Sequence, residues 1–79
     1  MTGADVDELR LFAKKVHQAV DGRECPVFVD ADDLGFPTDF VDNAITYWLG
    51  EGVMKRMGLG TAEVCLTRKG VVTIRLWPD

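Results

Sequence analysis

Residues 38–70 place the tightest constraint on what this chain can fold into. An apolar stripe of Val41, Ala44, Ile45, Trp48 and Leu49 recurs at three- and four-residue spacing and is stopped by Gly50 and Gly52. Two extended runs, residues 53–57 and 61–67, follow at once around Gly58-Leu59-Gly60, a hairpin signal. A helix running directly into a short hairpin implies an α+β domain.

The flanking segments extend that pattern. Val6, Leu9, Phe12, Ala13, Val16, Ala19 and Val20 mark one face of a helix over roughly residues 5–21. Asp5 is its expected N-cap, Asp7 and Glu8 suit the first turn, and Gly22 supplies the stop. Residues 25–29 read as a brief strand, where Pro26 suits an edge or a strand start. Asp30 caps a short helix through Asp32, Asp33 and Leu34, closed by Gly35. Phe36-Pro37-Thr38 is a turn, with Thr38 expected to cap the third helix. The β-branched residues 71–76 are expected as a last strand, a short closing helix being the rival.

Seventy-nine residues give a single domain over 1–79, with residues 1–4 expected to be flexible. A chain this short buries only roughly 60–65% of its unfolded surface, so stability is marginal without partners, metals or disulfides. Multi-domain architectures and the large α/β enzyme folds are excluded. No apolar run approaches the ~20 residues of a spanning helix, and no membrane partner is expected. The opening residues lack the pattern of a secretory signal, and two cysteines, Cys25 and Cys65, are too few for a disulfide scaffold. A cytoplasmic protein with reduced thiols is the expectation.

The net charge of −4 conceals an asymmetry. Residues 1–51 carry four basic side chains against eleven acidic ones; residues 52–79 carry five against two. The helical half is acidic and the hairpin half basic.

From Ala31 to Gly70 the chain resembles the winged helix-turn-helix family. The match runs through Ala31-Asp32-Asp33-Leu34-Gly35, then Val41, Ile45 and Trp48, then Gly52, and ends on Cys65-Leu66-Thr67-Arg68-Lys69-Gly70. The resemblance implies three helices with a small antiparallel sheet and wing, the third helix being the one that enters the major groove. It also implies a small DNA-binding transcriptional regulator, acting as a dimer. In such a fold the first strand pairs with the wing strands, which brings Cys25 near Cys65. Two buried thiols are expected there in preference to a redox-switchable disulfide.

Two functions compete. As a regulator, the protein would contact DNA through Lys55, Arg56, Arg68 and Lys69 of the wing, with Arg75 on the last strand, and through Asn43, Thr46 and Tyr47 of the third helix. Against this, the third helix presents Asp39, Asp42 and Glu51 but no basic residue, and basic side chains on a hairpin also serve to blunt its edge. As a protein-interaction adaptor, it would instead use Asp39, Asp42, Tyr47, Glu51 and Trp77 to meet a basic partner.

No enzyme is indicated. There is no serine, and His17 with Cys25 and Cys65 matches no zinc spacing. Asp30, Asp32 and Asp33 lack the glycine and glutamate positions of a calcium loop. No cofactor or metal is expected. Trp48 belongs to the core by its place on the stripe, His17 is read as a surface or boundary residue, and Tyr47 and Trp77 are candidate contact aromatics.

Overall fold

The computed structural model describes residues 6–78. The expected Asp5 cap and the flexibility of residues 1–4 lie outside the described residues. In chain order the elements are α1 (Val6–Ala19), β1 (Val29–Asp30), a 3-10 turn (Ala31–Leu34), α2 (Thr38–Gly50), β2 (Met54–Arg56), β3 (Glu63–Leu66) and α3 (Arg68–Arg75). The architecture is α+β: three α-helices around a three-stranded antiparallel sheet of order β1-β3-β2. Among the described residues no helix is long and apolar enough to cross a membrane.

The core forms where the stripes of α1 and α2 meet the inner face of the sheet. Leu9, Phe12, Ala13 and Val16 of α1 pack with Val41, Ala44, Ile45 and Trp48 of α2 and with Met54, Val64 and Leu66 of the strands. Val6 and Ala19, expected on the buried face of α1, lie at its ends and are exposed. Phe12 is fully buried and meets the edges of Phe36 and Phe40 at 5.5 and 6.0 Å. Such edge-on contacts add to the gain from burial. The Trp48 indole Nε1–H donates to the Leu9 carbonyl at 3.0 Å, which fastens α2 to α1.

Four expectations are corrected. Residues 71–76 are not a strand; as in the rival reading they are helical, 71–75 lying in α3 with Leu76 as its C-cap. Thr67 is its N-cap, accepting from the Gly70 N–H at 2.9 Å and donating to the Gly52 carbonyl at 2.6 Å. Val71 and Ile74, three apart, face the core while Val72 stays exposed, a helical pattern. Gly70 is required because a Cβ there would fall on the Val53 carbonyl oxygen.

The first strand is displaced from residues 25–29 to Val29–Asp30. Pro26 has no N–H to donate, and the chain turns there. The Cys25 N–H reaches the Leu66 carbonyl at 2.8 Å, and only from Val29 does antiparallel pairing with Val64 begin.

Thr38 does not cap α2. Pro37 holds the N-cap position (φ −59°, ψ 144°) without a side-chain hydrogen bond, and its carbonyl accepts the helix's first bond from Val41 at 2.9 Å. Finally, Cys25 and Cys65 are not free thiols but a disulfide, their Cα atoms 5.0 Å apart. That separation is within the ordinary span of such a bond. The expected Asp30 cap is present: its carboxylate accepts from the Asp32 N–H at 3.0 Å.

Candidate functional site

Burying one stripe of α2 leaves the opposite face in water. Asp39, Asp42, Asn43, Thr46, Tyr47 and Glu51 are all exposed, as their positions on the helix require. The 3-10 turn and the β2–β3 turn rise on either side of the first half of that face. Between them lies an open cleft of about 630 Å³. One wall carries Asp32, Asp39, Asp42 and Asn43; the other is Gly60, Thr61 and Ala62. Three carboxylates enter the lining and no basic side chain does. The Ala31 N–H donates to the Ala62 carbonyl at 2.8 Å and ties the two walls together at their base.

Two of the basic residues expected to face DNA, Arg56 and Lys69, have partners within the fold. Arg56 turns toward α2, its Nη2 3.6 Å from Asp42 Oδ1, with its side chain only 17% exposed. With Asp42 at 76%, this pair contributes modestly to stability, yet it diverts the guanidinium from solvent. Lys69 donates to the Glu51 carbonyl at 2.9 Å, where the end of α2 leaves acceptors without intrahelical partners. Arg75 lies in the last turn of α3, on the side of α1. Lys55 and Arg68 remain exposed. The β2–β3 tip is apolar: Leu59 is 99% exposed and Met57 61%.

A second, smaller concavity of about 220 Å³ runs between α1 and α3, lined by Lys14, His17, Gln18, Ile74, Arg75 and Trp77. Trp77 is half-buried, 5.6 Å from the Trp48 ring, with the Arg10 guanidinium 5.4 Å from its ring centre. It is therefore in large part a packing residue. Tyr47 keeps an exposed ring whose contact with Trp48 is edge-on at 4.9 Å. His17 is half-buried, and its Nε2 has no hydrogen-bond partner among the described residues. The described residues hold no group of three or more His, Cys, Asp and Glu side chains suited to a metal ion.

Sequence reasoning placed the face of α2 correctly but missed the hydrophobic tip. Leu59 between two glycines was the available signal, since a two-glycine turn leaves its central side chain nothing to pack on. Comparison with family models, with curated proteins and with solved structures gives no match.

Proposed function

We propose that this chain is a winged-helix-type interaction module that docks a basic protein segment in the cleft between α2 and the β2–β3 turn. The layout supports the fold side of this reading: a helix, a short strand, a turn and a second helix lead into a hairpin standing beside that helix. One observation carries the functional side. The lining of the cleft has three aspartates and no cation, on the helix that a DNA reader would place against phosphates. Lysine and arginine side chains fit such a lining, and the exposed Leu59 and Met57 beside it suit an apolar neighbour on the same segment. The reading keeps a cytoplasmic location and requires neither catalysis nor a cofactor.

DNA binding through the hairpin is the second reading, favoured by the exposed Lys55 and Arg68. Titration with labelled duplex DNA at about 50 and 200 mM salt separates the two. A phosphate-led binder weakens steeply over that range. The interaction module should show no salt-sensitive DNA binding tighter than roughly 100 μM, the weak end of non-specific association. Tight, salt-sensitive binding lost on changing Lys55 and Arg68 to Ala would establish the DNA reading instead.

A further inference from the structure

The Cys25–Cys65 bond joins a fully buried residue of β3 to the segment between α1 and α2. The contiguous apolar cluster that joins α1, α2, α3 and the β2–β3 ladder contains neither cysteine. What the bond holds is the segment between α1 and α2, whose other attachments are few. They are the Cys25 N–H to the Leu66 carbonyl, the two-residue pairing of β1 with β3, and the Ala31 N–H to the Ala62 carbonyl. Val27 and Val29 pack on the core only as half-buried side chains, and full burial begins at Ala31, where the 3-10 turn joins the core. Up to Asp30, a stretch with so few backbone bonds and so little burial opens at lower free energy than the elements around it.

The two sulfurs also differ. Cys65 is fully buried in the central strand, whereas Cys25 is partly exposed at the edge. Lys55 stands directly opposite Cys65 in the β2–β3 register, on the same face of the sheet.

We infer that this disulfide is a redox latch: a dithiol reductant opens it at Cys25, freeing residues 24–30 while the helices and the β2–β3 ladder stay folded. A thiolate of the reductant attacks Cys25 Sγ, and the electron pair of the Cys25–Cys65 bond leaves on Cys65 Sγ. The Lys55 ammonium stabilises that thiolate and so assists its departure. The second thiol of the reductant, as thiolate, then attacks the mixed disulfide and releases the Cys25 thiolate. The reductant is oxidised to its disulfide, and both protein thiolates take up protons. The latch is a property of the segment itself and does not depend on what the cleft binds.

Amide hydrogen exchange on the full chain tests it, comparing the oxidised protein, the same protein in dithiothreitol, and the protein reoxidised with oxidised glutathione. On reduction, residues 24–30 should exchange about tenfold faster or more, residues 41–48 should change little, and reoxidation should restore protection. Unchanged exchange at 24–30 would overturn the latch. So would equal acceleration throughout, because the bond would then be holding the whole domain. Lys55→Gln should slow reduction by dithiothreitol about threefold, and an unchanged rate would refute the role given to Lys55.

Discussion

Two concave surfaces on this chain carry opposite charge. The cleft beside α2 is walled by Asp32, Asp39 and Asp42, and the charged side chains of the seam between α1 and α3 are Lys14 and Arg75. The cations of the seam have work within the fold. Lys14 donates to the Pro78 carbonyl at 3.2 Å, neighbouring Arg10 covers Trp77, and Arg75 sits in the last turn of α3, where the dipole favours positive charge. The acids of the cleft are engaged less. Asp39 and Asp32 gain from lying in first turns, but neither carboxylate has an ion pair among the described residues, and Asp42 has only the long contact to Arg56. The difference teaches which charge is open to a partner: both surfaces meet solvent, but the cations of the seam are engaged within the fold while the carboxylates of the cleft are largely free of it.

The largest expected effect lies under the seam. Gly70→Ala places a methyl group on the Val53 carbonyl and should push α3 off the sheet, at a loss of about 3 kcal/mol in urea unfolding. The same protein, below its midpoint, should still bind whatever the cleft binds. Loss of both together would show that the two surfaces are one cooperative unit.

Trp48→Phe comes next, since Trp48 bonds α1, belongs to α2 and packs on Trp77. It removes the indole donor from the Leu9 carbonyl, leaving that oxygen its helical bond alone, and opens a void beside Trp77, and should cost about 2 kcal/mol by the same measurement. A cost under about 0.5 kcal/mol would deny that this side chain joins the two regions. Smallest is Arg10→Ala, which removes an exposed cation from an aromatic face. A loss of about 0.5 kcal/mol is expected, and gain of stability would remove the seam's claim to a structural role.

The helices and the hairpin were legible because their apolar spacing is strong and their stops are glycines. The end of the chain was not. Val71, Val72, Thr73 and Ile74 favour a strand by side-chain type, and what overrides them is Thr67 capping Gly70 and the close seat of Gly70 on Val53. The first strand was misplaced because the turn at Pro26 is decided by where β3 offers its carbonyls. The exposed face of α2 could be read from periodicity alone. The retirement of Arg56 and Lys69 could not, since it depends on how closely β2 and α3 approach α2. Proximity of the two cysteines followed from the expected strand pairing, but their covalent state did not.

The central claim is that the cleft, and not the basic residues of the hairpin, is the binding surface. Amide chemical shifts of the labelled protein, followed while a lysine- and arginine-rich amphipathic peptide is added, test it most directly. The expected result is a saturable set of shifts confined to Asp32, Asp39, Asp42, Asn43, Gly60 and Thr61, abolished in the Asp39→Asn/Asp42→Asn variant. Shifts absent from the cleft, or a saturable set centred on Lys55 and Arg68 when duplex DNA replaces the peptide, would contradict it.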